Sequence, residues 1–160
     1  MRVGLGYDIH PLAPGRVLIL GGVTIAHSKG LVGHSDADAL THAVCDALLG
    51  AMGEGDLGTY FPSSNPKFKN ISSLLLLEEV RDRLHRKGYE LVNLDTVIIA
   101  QAPRLGPHLE AMRDRLAQTL QVPSALVNVK VKSGEGLDAV GREEAMATQA
   151  ICLIQPIPLK

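Results

Sequence analysis

The chain has 160 residues and a formal net charge of −1, which is the size of one domain with its own hydrophobic core. A net charge this close to zero excludes a strong basic field that would attract nucleic acid or an anionic membrane. Two Phe, three Tyr and no Trp argue against a base-stacking surface, and no apolar run approaches the ~20 residues of a membrane span. Cys45 and Cys152 fit buried thiols in a reducing compartment. With no signal or transit pattern at the start, we expect a single domain over residues 1–160, without nucleic-acid or membrane partners. We place it in the cytoplasm, or in a plastid if it is a trimmed plant or algal protein.

The first residues predict strands. Residues 3–7 predict a short strand that ends at Asp8 and His10. Residues 16–25 predict a hairpin with Gly21-Gly22 as its turn.

A helix and a long loop follow. Ser35 is a candidate N-cap, and Asp38 three residues later gives a box-like helix start. The helix is predicted to run to about Gly50, and residues 52–73 read as a loop broken by Gly, Pro, Ser and Asn. A loop of about 20 residues is uncommon in a compact domain and is more often functional than idle.

The second half alternates helices and strands. Apolar residues at helical spacing predict helices over 73–87 and from Pro107 to Leu120, and residues 89–100 and 127–132 predict strands. Residues 142–154 are ambiguous between helix and buried strand. The sum is a single α/β (α+β) domain with a four- to five-stranded sheet and about three helices.

Three side chains suggest a metal site. Asp8 and His10 are two residues apart, so an extended strand points both to one face. His42 comes from the predicted helix, and three N/O ligands with an open fourth position are typical of catalytic zinc. Asp46, one helical turn after His42, is a candidate to hold its imidazole. The alternative is that the acidic residues near this helix start only complement its dipole and that His42 is a satisfied polar residue.

Two glycine-containing segments suggest contacts with a polar ligand. Residues 53–58 permit close backbone approach. Residues 132–136 offer a lysine, a serine and a glutamate after a strand, which suits a phosphate with its Mg²⁺. The alternative for each is an ordinary solvated turn. Neither a Walker P-loop nor a G-x-G-x-x-G motif after a strand is present.

Several ordered motifs resemble one family, 2-C-methyl-D-erythritol 2,4-cyclodiphosphate synthase of the non-mevalonate isoprenoid pathway, nearly end to end. They are Gly6-Tyr7-Asp8-Ile9-His10, Leu20-Gly21-Gly22-Val23, Gly33-His34-Ser35-Asp36-Ala37-Asp38, His42, Asp46-Ala47-Leu48-Leu49-Gly50-Ala51, Gly55-Asp56-Leu57-Gly58, Phe61-Pro62, Ala100-Gln101-Ala102-Pro103 and Gly141-Arg142. The resemblance implies a homotrimer with active sites between subunits and a C-terminal strand. It also implies a lyase that converts 4-diphosphocytidyl-2-C-methyl-D-erythritol 2-phosphate to the cyclic diphosphate and CMP.

The resemblance also implies roles for individual residues. Zn²⁺ would be bound by Asp8, His10 and His42, and Glu135 would hold the Mg²⁺ or Mn²⁺ that bridges the diphosphate. His34 and Ser133 would position and stabilise the phosphates. The substrate contacts it implies are Asp8, His10, His34, Ser35, Asp56, Gly58, Phe61, Ala100, Pro103, Arg104, Leu105, Lys132, Ser133, Glu135 and Arg142. A central trimer cavity that takes isoprenoid diphosphates would be lined by Tyr7, Arg142 and Glu144.

The sequence departs from the family pattern in three places. Ser63 stands where Asp usually follows Phe-Pro, Ser133-Gly134 replaces Thr-Thr or Lys-Thr, and Ala139 stands where an aromatic residue is frequent. Two other functions use the same residues: a zinc hydrolase that activates water, and a trimeric binding module without catalysis.

Overall fold

The computed structural model describes residues 1–158 and consists of strands packed against helices. The strands are β1 (Arg2–Pro14), β2 (Leu18–Leu20), β3 (Val23–Ile25), β4 (Lys29–Leu31), β5 (Tyr89–Ile99), β6 (Val127–Lys132) and β7 (Ala145–Pro156). The α-helices are α1 (Ala39–Met52), α2 (Leu57–Tyr60), α3 (Ser73–Arg86), α4 (Leu109–Leu120) and α5 (Asp138–Gly141). Short 3₁₀ turns cover Pro66–Phe68, Gly106–His108 and Ser124–Leu126.

Five strands form one sheet in the order β4-β1-β7-β5-β6. β7 pairs antiparallel with both β1 and β5, and β5 pairs parallel with β6. β2 and β3 form the separate predicted hairpin, turned by Gly21-Gly22, whose φ angles are both positive. The predicted α+β class is confirmed, and the ambiguous C-terminal segment is a strand. The last two residues of the predicted 1–160 domain lie outside the described part.

The sheet has two different faces. The inner face packs on α1, and it does so closely because β1 presents glycines there: a Cβ added at Gly4 or Gly6 would lie 1.8 or 1.9 Å from a carbonyl oxygen of α1. The outer face of β1 exposes a row of apolar side chains. These are Val3, Leu5, Tyr7 and Ile9, which are 64%, 69%, 50% and 45% exposed.

The core lies between the inner face and the helices. Almost every residue of α1 is buried, because it packs against β1 and β7 on one side and α3 on the other. Cys45 and Cys152 are both buried free thiols, as expected. Burial raises the pKa of the Cys152 thiol to about 11.

Two sequence expectations about element boundaries are wrong. β1 does not end at Asp8 and His10 but continues to Pro14, because it pairs first with β7 and then with β4. Ser35 does not cap α1. The N-cap is Asp38, whose side chain accepts from the Thr41 N–H at 3.0 Å, and the backbone turns just before it at Ala37, where φ is positive.

The loop and the helix count also need correction. The predicted 52–73 loop contains α2 and a 3₁₀ turn, so the described residues hold more than three helices. α2 is a single short helix whose N-cap is the Asp56 carboxylate, which accepts from Thr59. A local cap of this kind stabilises one turn without a long apolar period, which is why the composition alone indicated a loop.

Candidate metal centre and substrate pocket

The three predicted metal ligands meet where β1 crosses α1. Asp8 and His10 project from the inner face of β1, and His42 from the first turn of α1. The Asp8 Oδ2 atom lies 2.9 Å from His10 Nε2 and 2.9 Å from His42 Nδ1, and the two ring nitrogens are 3.3 Å apart. One ligand atom from each residue therefore lies within 4.8 Å of the others.

The hydrogen bonds of His10 suit a metal. Its Nδ1 lies 2.7 Å from the carbonyl oxygen of Val32. A carbonyl only accepts, so Nδ1 carries a hydrogen and, in the neutral ring, Nε2 keeps its lone pair. That lone pair points to the Asp8 carboxylate, and a cation between them relieves the repulsion of two acceptors. Two imidazole nitrogens and one carboxylate oxygen fit zinc and leave a fourth position for a substrate.

The two histidines keep Asp8 ionised despite its burial. Burial by itself raises the pKa of the Asp8 carboxyl, but the contacts with His10 and His42, when these rings carry a proton in place of a metal ion, outweigh it and hold that pKa well below its usual range. Burial lowers the pKa of His10, and the hydrogen bond to Asp8 reverses this, so its pKa is raised. The group thus attracts positive charge, either protons or a metal ion.

The predicted contact between Asp46 and His42 is wrong. His42 Nε2 instead faces the hydroxyls of Ser73 at 2.8 Å and Ser35 at 3.1 Å. The Asp46 Oδ1 atom accepts from the Leu57 N–H at 2.7 Å, at the start of α2. Burial raises the pKa of Asp46. Although Asp46 lies one turn from His42, its carboxylate binds the start of α2 rather than the imidazole.

A pocket of about 290 Å³ opens beside the three ligands. It brings together the predicted contact residues His34, Ser35, Asp56, Gly58 and Phe61. It also includes Ser63, one of the departures from the family pattern, and three residues absent from the predicted contacts: Leu57, Phe68 and Leu76. The pocket therefore has polar groups near the metal ligands and an apolar wall farther along.

The apolar wall comes from the loop between α1 and α3. Phe61 and Phe68 pack edge to face, with ring centroids 5.4 Å apart. Leu76 is also on the inward stripe of α3. The helical stripe could have indicated Leu76 as core, but nothing local in the sequence shows that it borders a pocket.

Side chains at the C-terminal end of α3 also hold the loop between α1 and α3 in place. Tyr60 donates its hydroxyl to Glu54 at 2.5 Å, and the Arg83 guanidinium stacks 4.0 Å above the Tyr60 ring. Lys87 pairs with the same glutamate. These contacts tie α2 to α3 and so hold Asp56 and Gly58 at the mouth of the pocket.

A second group of predicted residues lies elsewhere. The Ala100 N–H donates to the Lys132 carbonyl at 2.9 Å, and the Gly136 N–H donates to the Gln101 side chain at 3.3 Å. The ends of β5 and β6 are thereby joined into one surface, which carries Ala100, Pro103, Arg104, Leu105, Lys132, Ser133 and Glu135. Ala100 and Leu105 are buried within this chain, so the accessible part of this surface comes from the other five residues.

This second group does not line the metal pocket of the same chain. The turn after β6 borders a groove on the outer face of the sheet, where Gly134 lies beside Tyr7 and Ile9. Asp8 and His10 alternate with those residues on β1 and project from the inner face. Ser133 donates its hydroxyl to Glu135 at 2.5 Å, and Arg142 pairs with Glu144 on the surface.

An α+β domain in which two histidines and one aspartate could hold a metal ion beside a partly apolar pocket is typical of metal-dependent enzymes. The model of the YgbB family matches residues 1–155. A relative from Clostridium botulinum named 2-C-methyl-D-erythritol 2,4-cyclodiphosphate synthase is 52% identical over 154 residues, covering 96% of this chain and 99% of its own. The chain belongs to this family, as the motifs predicted.

Solved structures agree with this assignment. The IspF protein of Plasmodium falciparum in complex with CDP has a TM-score of 0.87 at 31% identity, covering 98% of this chain and 97% of its own. The bifunctional IspDF of Campylobacter jejuni has a TM-score of 0.94 at 38% identity over 98% of this chain. This chain spans 42% of the length of that bifunctional protein. Within residues 1–158, no helix has the length and apolar character needed to cross a membrane.

Proposed function

We propose that the chain converts 4-diphosphocytidyl-2-C-methyl-D-erythritol 2-phosphate to 2-C-methyl-D-erythritol 2,4-cyclodiphosphate and CMP. The observation that carries this proposal is the convergence of Asp8, His10 and His42 beside a pocket. The name of the relative from Clostridium botulinum and the CDP complex of the Plasmodium falciparum protein support the same reaction and a cytidine nucleotide substrate.

The reaction needs no general base. An oxygen of the 2-phosphate, already an anion, attacks the β-phosphorus; the bond from that phosphorus to the bridging oxygen breaks, and CMP leaves with the electron pair. Phosphoryl transfer of this kind depends on positioning and electrostatics. Asp8, His10 and His42 would hold Zn²⁺ and Glu135 would hold Mg²⁺ or Mn²⁺, and these ions supply Lewis-acid neutralisation of phosphate charge.

The pocket residues position the substrate. The His34 Nε2–H donates to the Asn65 carbonyl at 3.1 Å, which fixes the ring at the pocket edge. We assign the phosphates to His34, a substrate contact to Ser35, and the methylerythritol part to Asp56 and Gly58. Phe61 and the apolar wall exclude water from the reacting phosphates, so that fixed dipoles act in a medium of lower dielectric.

We propose a homotrimer in which the surface at the ends of β5 and β6 completes the pocket of a neighbouring subunit. This surface supplies Ala100, Pro103, Arg104, Leu105 and Lys132 for the cytidine, and Ser133 and Glu135 for the diphosphate. The proposal is supported by the separation of the two groups within one chain and by the apolar outer face of β1.

An isoprenoid diphosphate is a further proposed ligand, on the trimer axis. The outer-face groove beside Tyr7 and Ile9 is largely apolar, as an isoprenoid tail requires. Arg142 is the cation assigned to the diphosphate, with Glu144 as its present partner. We propose a cytoplasmic location, which suits two buried free thiols and the bacterial origin of the curated relative.

The test is ³¹P NMR of the protein with the cytidine substrate, Zn²⁺ and Mg²⁺. We expect the paired signals of a cyclic diphosphate to grow together with CMP. His42→Ala should lose zinc and turnover, whereas His85→Ala, on the exposed side of α3, is the matched control and should keep both. Linear phosphate products would support the hydrolase instead. An unchanged spectrum with zinc bound would support a binding module.

A further inference from the structure

We propose that Ser73 and Asp36 are positioning residues that fix the His42 imidazole in the tautomer with hydrogen on Nε2, which leaves Nδ1 free to bind the metal. The inference rests on the metal site of the proposed function, and it assigns a role to two residues outside the predicted ligand set. It is carried by a chain of hydrogen bonds from α1 to the start of α3.

The chain begins at the carboxylate of Asp36. The Ser73 N–H donates to Asp36 Oδ2 at 2.9 Å, and the Ser73 hydroxyl donates to Asp36 Oδ1. The N-cap residue of α3, Ser72, makes no capping hydrogen bond with its side chain. Asp36, 37 residues earlier in the sequence, therefore caps α3 from another element, and it fixes the direction of the Ser73 hydroxyl.

The direction of that hydroxyl determines the proton on His42. A serine hydroxyl has one hydrogen, and the Ser73 hydrogen is used on the Asp36 carboxylate, which can only accept. The Ser73 oxygen, 2.8 Å from His42 Nε2, must then accept, so Nε2 carries the hydrogen. The Nδ1 lone pair is left facing Asp8 Oδ2 at 2.9 Å.

Burial protects the hydrogen bond between Ser73 and His42 from exchange with water. Ser73 is fully buried and His42 is 9% exposed, so water cannot readily replace either partner. Ser35 is a weaker second acceptor at 3.1 Å, and its hydroxyl oxygen also accepts from the Ala37 N–H at 3.3 Å. Loss of the Ser73 hydroxyl removes the better acceptor and lets the ring rotate or change tautomer. A ring with hydrogen on Nδ1 cannot use that nitrogen as a ligand.

The experiment measures zinc affinity by competition with a chromophoric chelator, without any substrate. Partners of metal-bound histidines contribute about 10- to 100-fold to affinity, and we expect a loss in this range for Ser73→Ala. Ser72→Ala removes the neighbouring exposed hydroxyl and should keep the affinity. Asp36→Asn, which retains shape but not charge, should lose part of it.

A second readout separates positioning from folding. In zinc-loaded protein with ¹⁵N-labelled histidine, His42 should show hydrogen on Nε2 and a bound Nδ1; in Ser73→Ala this signature should weaken or change. Ser73→Thr restores the hydroxyl and should recover both readouts.

Two outcomes would overturn the proposal. One is unchanged zinc affinity and an unchanged His42 spectrum in Ser73→Ala. The other is a lower Tm of the metal-free variant with zinc affinity preserved, which would mean a purely structural role. Because neither readout uses the cytidine substrate, failure of the proposed reaction would leave this result standing, and the converse also holds.

Discussion

Gly6→Ala is the substitution that tests the close contact of β1 with α1. A Cβ at position 6 would lie 1.9 Å from the Ala43 carbonyl oxygen and 2.7 Å from the Ala47 nitrogen. Both atoms belong to the helix backbone, so no side-chain rotation relieves the clash. Ala43 follows His42 directly, and the same displacement therefore moves a metal ligand.

The size of the effect follows from these distances. The added Cβ would lie 1.9 Å from the Ala43 carbonyl oxygen, whereas ordinary van der Waals contact starts at 3.4 Å. The backbone of α1 must therefore move away by about 1.5 Å. Overpacking of a core costs about 1–3 kcal/mol and occasionally more, and a backbone clash belongs at the upper end. About 3 kcal/mol corresponds to a Tm lower by about 6–12 °C for a chain of this size. Metal sites tolerate shifts of only about 0.2 Å, so zinc affinity should fall at least tenfold.

The assay compares thermal unfolding and zinc competition at one protein concentration, because assembly makes Tm concentration-dependent. The matched control is Gly50→Ala in α1, where an added Cβ meets nothing closer than the Leu5 carbonyl oxygen at 3.8 Å. It should be neutral or stabilising by about 0.4–1 kcal/mol, as for Gly→Ala at a compatible position. Wild-type Tm and zinc affinity in Gly6→Ala would refute the reasoning.

Two further predictions concern the outer face and the loop anchor. Leu5→Asp should break the proposed trimer into smaller species in light scattering. Leu75→Asp changes another exposed leucine, on α3 (52% exposed against 69% for Leu5), and should leave the trimer assembled. An intact Leu5→Asp trimer would contradict the interface. Hydrogen bonds from Lys87 and Tyr60 lower the pKa of Glu54 below 4.5, so its contribution to stability is complete above that pH and is lost as the pH falls through the lowered pKa. The Tm difference between wild type and Glu54→Gln should therefore shrink from about pH 5 to about pH 3, and a constant difference would show that the anchor does not titrate.

The metal ligands were predictable because the side-chain repeats of a strand and of a helix depend only on local sequence. A strand repeats its faces every second residue, which pairs Asp8 with His10, and a helix start accounts for His42. The family motifs then added the proposed substrate contacts, and of these His34 and Asp56 line the pocket beside the ligands. Where several short patterns agree, the site can be read without the fold.

What could not be predicted depends on contacts between distant segments. Asp36 and Ser73 look like ordinary helix-start residues in the sequence, and only the packing of α3 beside α1 brings them to His42. Helical spacing predicts a contact between Asp46 and His42, but the Asp46 carboxylate accepts a hydrogen bond from the Leu57 N–H at the start of α2 instead. Spacing shows which side chains can meet, whereas the competition for each donor is decided by the tertiary structure.

β1 connects the proposed metal site with the proposed trimer interface, because its alternate residues lie on opposite faces of the sheet. Asp8 and His10 face α1, and Tyr7 and Ile9 face outward, where a second copy is proposed to bind. Pairing with β7 from Arg2 to Pro11 fixes this division. A slip of one residue would send the metal ligands to the outer face and the apolar row into the helix. The glycines at the inner positions oppose such a slip, since any larger side chain brought there meets the α1 backbone. The packing that stabilises the sheet thus also determines which face holds the metal and which face is free to assemble.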